Sequence, residues 1–199
     1  MTSIINADTS GGLTITSDTS GALDIQSAGT NKLSMDSSGN ISLAGNLAVT
    51  GLMPAGSIMQ VVGEQETSAG VASTSTSYVT FSTAPSFAIT PAATSSKILV
   101  HMRIGMQYDA TGQIENTIYR AIAGGATTEL SGGTTYGISF HGTSAAGGIW
   151  KETVMTFLDA PNTTAAVTYT WYSRSEGGQS ITVSHAGAVN STTLMEIAQ

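Results

Sequence analysis

Ile98-Leu99-Val100-His101-Met102-Arg103-Ile104-Gly105-Met106 decides the fold class. In an extended chain Ile98, Val100, Met102, Ile104 and Met106 share one side, and Leu99, His101, Arg103, Gly105 and Gln107 share the other. A helix would scatter the same five apolar side chains around its circumference. Outward from this strand, shorter alternating runs predict strands at 57–62, 78–82, 86–90, 116–122, 136–141, 149–158, 165–174, 180–185 and 192–197, with a loop over 63–76. Turn-forming groups separate them: Asp109-Ala110-Thr111-Gly112, Gly124-Gly125, Gly132-Gly133, Gly147-Gly148, Asp159-Ala160-Pro161-Asn162 and Glu176-Gly177-Gly178. No segment carries a capped helical stripe. Strands at regular intervals without βαβ alternation predict an all-β head, an antiparallel jelly-roll-like β-sandwich over 77–199.

The N-terminal quarter reads differently. Leucines recur every ten residues at Leu13, Leu23, Leu33 and Leu43, with a second apolar residue at Ile15, Ile25 and Met35. Small, polar and turn-forming residues fill the gaps, as in Ser27-Ala28-Gly29 and Asp36-Ser37-Ser38-Gly39-Asn40, so each phrase reads as a short strand and a turn. Two apolar side chains per phrase bury too little surface to offset the cost of ordering the backbone. Parallel copies of the chain wound about an axis would supply the missing shelter. The seam would consist of Leu13, Ile15, Leu23, Ile25, Leu33, Met35 and Leu43. A disordered Ser/Gly/Thr-rich leader is the plainer reading, but a linker has no reason to keep its leucines in register through four phrases. Pro54 then breaks the pattern. The divisions are an attachment segment or frayed end over 1–9, a repeat stem over 10–53, a connector with the first strand over 54–76, and the head.

Composition narrows the function classes. Charged residues make up 10% of the 199-residue chain, while Ser and Thr number 26 and 30, so hydroxyls and turns must keep the surface soluble. The net charge is −7, and the six basic residues are scattered from Lys32 to Arg174, which offers no patch for a phosphate backbone and excludes nucleic acid as an expected partner. No run of 18 apolar residues predicts membrane insertion, and the first residues lack the basic and apolar parts of a secretory leader. Without cysteine there are no disulfides or thiolate metal sites.

Catalytic signatures are missing as well. There is no phosphate-binding Gly-Lys-Ser/Thr loop, no His-Glu-x-x-His, no Gly-x-Ser-x-Gly and no calcium-binding EF-hand loop. His101, His141 and His185 lie far apart, and the carboxylates form no close pair in sequence, so the expectation is no enzyme, no metal and no cofactor. Binding of a sugar through flat aromatic faces and a few fixed hydrogen bonds is the more physical expectation. Candidates beside Gly-rich loops are Tyr108, Tyr136, His141, Trp150, Tyr172 and Arg174. Trp171 and Tyr169 share a face with Val167 and read as core, which puts Tyr172 and Arg174 on the opposite face. Trp150 alternates with Val154 and Leu158 and reads as core or subunit interface before ligand platform.

From Thr74 onward the phrases Ser75-Thr76-Ser77-Tyr78-Val79, Ile89-Thr90-Pro91-Ala92-Ala93-Thr94-Ser95-Ser96-Lys97-Ile98-Leu99-Val100, Tyr119-Arg120, Phe157-Leu158-Asp159-Ala160-Pro161, Thr168-Tyr169-Thr170 and Thr193-Leu194-Met195-Glu196-Ile197 resemble the C-terminal module of bacteriophage tail-fibre and related virion fibre proteins, especially those of marine phages. The Pro54-Ala55-Gly56-Ser57-Ile58 junction and the decapeptides before it look like the shaft segments that precede such modules. The resemblance implies a homotrimer with a slender trimeric β-repeat stem and a compact head, similar in outline to the trimeric heads of the tumour-necrosis-factor and C1q type. The number three comes from the family. Location in the virion, attachment to other virion proteins through the N-terminal end, and contact with a host-surface glycan or protein receptor are implied likewise. The chain is far shorter than long tail fibres. Alternatives are a capsid or tail decoration without receptor binding and, third, a small depolymerase-type enzyme.

Overall fold

The computed structural model describes residues 21–44, 54–67, 70–82, 84–108, 112–143, 148–183 and 188–199. Two compact units divide the chain, Met1–Gly51 and Leu52–Gln199.

In the first unit β1 (Leu23–Ser27), β2 (Thr30–Met35) and β3 (Ile41–Leu43) form an antiparallel meander. Ala28 and Gly29 turn the chain between β1 and β2 with φ of 51° and 74°, the left-handed pair whose twist suits a two-residue hairpin. The second turn is organised by Asp36, whose Oδ1 accepts the Ser38 and Asn40 amides, both at 2.9 Å. Directly opposed residues are Leu23 and Met35, Ile25 and Leu33, Leu33 and Leu43, and Met35 and Ile41. All six apolar side chains therefore share one side of the sheet, while Asp24, Ser34 and Ser42 line up on the other. The phrases thus pair with one another inside one chain, where the sequence reading set each beside its copies in parallel chains. The ten-residue spacing fits an antiparallel meander equally well, because each turn consumes the residues between apolar pairs. Leu13, Ile15 and the 1–9 segment lie outside the described residues.

The second unit is a sandwich of two antiparallel sheets. Its long strands are β4 (Ile58–Thr67), β6 (Ser86–Ile89), β7 (Lys97–Tyr108), β8 (Gly112–Ile122), β10 (Ser139–Thr143), β11 (Ile149–Asp159), β12 (Val167–Ser175) and β14 (Val189–Ile197). They pair in a nested series, first with last and inward: β4 with β14, β6 with β12, β7 with β11, β8 with β10. This is the wiring of a jelly roll. One sheet runs β4-β14-β7-β11 and the other β6-β12-β8-β10. The short strands β5 (Val71–Ser73), β9 (Thr127–Glu129) and β13 (Ile181–Val183) extend them.

The core lies between the sheets. Ile98, Val100, Met102, Ile104 and Met106 of β7 are all buried and meet Val167, Tyr169 and Trp171 of β12, as their alternation predicts. Several polar side chains on this inner side are paired with one another. Asp159 takes two bonds from Arg120 Nη1, at 2.8 and 3.0 Å, and one from the Tyr169 hydroxyl at 2.7 Å. Trp171 Nε1 donates to Ser173 Oγ, which donates to Asn116 Oδ1.

Some boundaries depart from the sequence reading. The expected loop over 63–76 contains the second half of β4 and all of β5. The expected strand at 78–82 reduces to a single bridge between Val79 and Ser173, because β6 occupies the edge of β12 from Val167 to Thr170. The three-residue β9 was not anticipated; it is too short to show a period.

Candidate functional site

The outward side of the β10-β8-β12 sheet gathers aromatic rings around one ion pair. Phe140, Glu115 and Arg174 stand in a row across three strands. Arg174 Nε donates to Glu115 Oε2 at 2.5 Å and Nη2 to the Thr135 carbonyl at 2.8 Å. Its guanidinium carbon lies 4.6 Å from the centre of the Tyr78 ring, within cation–π range. Glu115 is enclosed beneath this cover at 1% exposure. Burial works against the charged Arg174, but Glu115 prevails and holds the guanidinium above its ordinary range. Burial pushes the Tyr78 hydroxyl up to about 12.

Tyr172 and Tyr119 sit diagonally across the β12–β8 ladder with ring centres 4.1 Å apart, and Tyr78 meets Tyr119 edge-on at 6.4 Å. At the rim, Tyr136 and Phe140 lie 5.0 Å apart and are 49% and 54% exposed. Gly137 makes this rim possible. Its φ is +67°, and a Cβ there would lie 2.4 Å from the Asn116 carbonyl oxygen and 2.7 Å from the Tyr78 hydroxyl, so only glycine lets the loop lie this close. Glu129 accepts hydrogen bonds from Thr117 and Ser131. Both nearby carboxylates are thus engaged in holding the surface together. The arrangement is a rigid aromatic platform with a planar cation beside it.

The sequence candidates divide. Tyr136, Tyr172 and Arg174 come together on this platform, with Tyr172 and Arg174 opposite the buried Tyr169 and Trp171. Tyr108 does not: it is 3% exposed on the core side of β7, where burial pushes its hydroxyl up to about 12. Its place beside a Gly-containing turn suggested access, but the β7 period continues through it and carries it inward. His141 is half-buried, with Nε2 2.9 Å from Thr153 Oγ1, and burial followed by the Lys151 charge lowers its pKa. Trp150 is not core. It lies on the outward side of β11 at 54% exposure, with Val154 and Leu158, against a cavity of about 230 Å3 shared with the Arg103–Glu152 ion pair. Both faces of β11 carry apolar residues, so its period alone did not say which face turns inward.

Sequence reasoning missed Tyr78, Tyr119, Glu115 and Phe140. Phe140 alternates with His141 and could have been assigned to the opposite face; Glu115 and Tyr119 share one face of β8, but only the fold brings them to Tyr78 and Arg174. Among the described residues no group of three or more His, Asp or Glu side chains is arranged to hold a metal.

No family model and no curated protein matches the chain. Two solved viral structures are similar to it. One is described as the crystal structure of the infectious bursal disease virus VP2 subviral particle, with TM-score 0.42, 14% identity, and coverage of 89% of this chain and 42% of that one. The other is the structure of the infectious bursal disease virus Gx strain, with TM-score 0.32, 11% identity, and coverage of 69% and 29%. The chain spans less than half the length of either.

Proposed function

We propose that the chain is a virion structural protein, a homotrimeric fibre whose jelly-roll head touches the host surface through a glycan. The observation that carries the proposal is the apolar face of the first unit. Ile25, Ile41 and Leu43 are 48%, 61% and 41% exposed there, beside the half-buried Leu23, Leu33 and Met35. A sheet with so small a covered area gains stability from a second apolar layer, and sister chains bring identical faces. The second unit offers a matching surface of its own. Leu158, Leu99, Met195 and Val61 stand in one row across β11, β7, β14 and β4 on the outward side, with Leu158 49% and Val61 55% exposed. Association of the second unit through this row would leave its other sheet, with Tyr136, Phe140, Tyr172 and Arg174, facing away from the partner chains. Three such platforms on one head make weak sugar contacts sufficient through effective concentration. The resemblance to phage fibre modules supports a place on a tail or capsid surface, joined to other virion proteins through the N-terminal end.

A second reading, decoration of the particle without receptor binding, is favoured by one feature. Arg174 spends two donors within the molecule, on Glu115 and the Thr135 carbonyl. A glycan array probed with the assembled protein separates the readings. Binding that is lost in Tyr136→Ala/Phe140→Ala supports attachment, and silence across host-envelope glycans supports decoration.

A further inference from the structure

The inward side of the β4–β14 ladder changes character along its length. Leu194 belongs to the core, and Thr192 and Asn190, two and four residues earlier, are buried at 2% and 0% exposure. Glu64 and Glu66 stand directly opposite Thr192 and Asn190 in β4. Paired residues share one side of a sheet, so two carboxylates, a hydroxyl and a carboxamide face the second layer. From that layer Ser82, Pro85 and Ser86 close a cavity of about 180 Å3, and among the described residues no Lys or Arg lines it.

One polar group here lacks a partner. Thr192 Oγ1 is enclosed and has no hydrogen-bond partner among the described residues. Burial, and then the neighbouring Glu64 charge, raise the Glu66 pKa. Asn190 is committed, its Oδ1 accepting the Gly105 amide at 3.2 Å. An enclosed hydroxyl without a partner beside two like charges is a costly arrangement for a protein to keep unless something binds there.

We propose that this cavity binds a divalent cation of the calcium class, held by the Glu64 and Glu66 carboxylates and the Thr192 hydroxyl, with water completing the shell. Two carboxylates balance the charge, and the hydroxyl oxygen supplies a neutral ligand. An all-oxygen donor set without nitrogen or sulfur selects hard cations over zinc or copper. Calcium accepts six to eight oxygens in loose geometry, which suits ligands fixed on two strands better than the strict octahedron of magnesium. The cavity volume is several times the ~30 Å3 share of one water, so hydrated coordination fits. The ion would turn the Glu64–Glu66 repulsion into attraction and fasten the edge strand β4 to β14 at the open end of the sandwich.

The test is a calcium titration of the full chain after chelation, followed by calorimetry and by thermal unfolding. The expected result is one calcium per chain and a Tm that climbs with calcium concentration. Glu64→Gln/Glu66→Gln should abolish both responses, and Thr192→Val should weaken binding without removing it. Without calcium, Glu66→Gln should melt above the parent, because the like-charge pair is gone. Two results would overturn the proposal: no heat and no Tm shift up to about 10 mM calcium, tenfold beyond weak protein sites near 1 mM, or a double variant that binds as the parent does. The parent titration alone decides the matter if the double variant does not fold.

Discussion

Leu33 and Leu43, ten residues apart in sequence, stand directly opposite each other in β2 and β3, and Leu33 faces Ile25 on its other side. The decapeptide period is therefore a strand-to-strand register: one repeat advances the chain by one strand and one turn. The result is a sheet with a polar side and an apolar side, and on the apolar side Ile25, Ile41 and Leu43 are exposed.

Leu33 is the centre of that face, so Leu33→Asp should be the most damaging single change to assembly. A charge there would have to be desolvated against the partner chain, at about 3 kcal/mol per copy or roughly 100-fold in association. Sedimentation velocity should show dissociation, while far-ultraviolet circular dichroism retains the head's strand signal, because the head has its own core.

The Arg120–Asp159–Tyr169 cluster gives a stability prediction inside the head. Tyr169→Phe removes the 2.7 Å bond to Asp159 and should cost about 1.5–3 kcal/mol, the range for a hydrogen bond to a charged group. Arg120→Met strands a carboxylate that is 6% exposed and should cost more, about 3–5 kcal/mol. Urea unfolding monitored by Trp fluorescence measures both.

Much of this core was legible beforehand. The period of β7 announced its buried side, and Val167, Tyr169 and Trp171 announced theirs. What escaped notice did so for physical reasons. In β4, Glu64 and Glu66 occupy inward positions at the open end of the sandwich, so no apolar period marked residues 63–67 as strand. On the platform, Tyr136, Tyr172 and Arg174 could be named individually. Their meeting with Tyr78, Tyr119 and Glu115 depends on β8 lying between β10 and β12, which no local pattern encodes.

Glu196 makes stability depend on pH. Burial opposes its ionisation, but hydrogen bonds from Ser96, Gln60 and the Ala92 amide prevail and hold the folded carboxyl below its ordinary 4.5. On acidification the unfolded chain takes up this proton first, near 4.5, so the stabilisation is complete above that value and is lost as pH falls through the lower folded value. Glu196→Gln should flatten this part of the stability profile, from 4.5 downward, as followed by thermal unfolding in a pH series.

Gly137→Ala should damage the platform selectively. The positive φ and the collision with the Asn116 carbonyl oxygen should cost about 1–3 kcal/mol and push the Tyr136 loop away from β8. Loss of glycan binding with a lowered Tm is expected, whereas Tyr136→Ala/Phe140→Ala should lose binding at least ~10-fold, about 1.4 kcal/mol, with Tm nearly unchanged, since both rings are about half exposed.

The mass of the purified full chain in solution, by multi-angle light scattering, tests most directly whether sister chains cover the face around Leu33. A trimer gives three times the 20.2 kDa of a single chain, falling to one chain in Leu33→Asp. A stable, folded parent at 20.2 kDa across the accessible concentration range would contradict it.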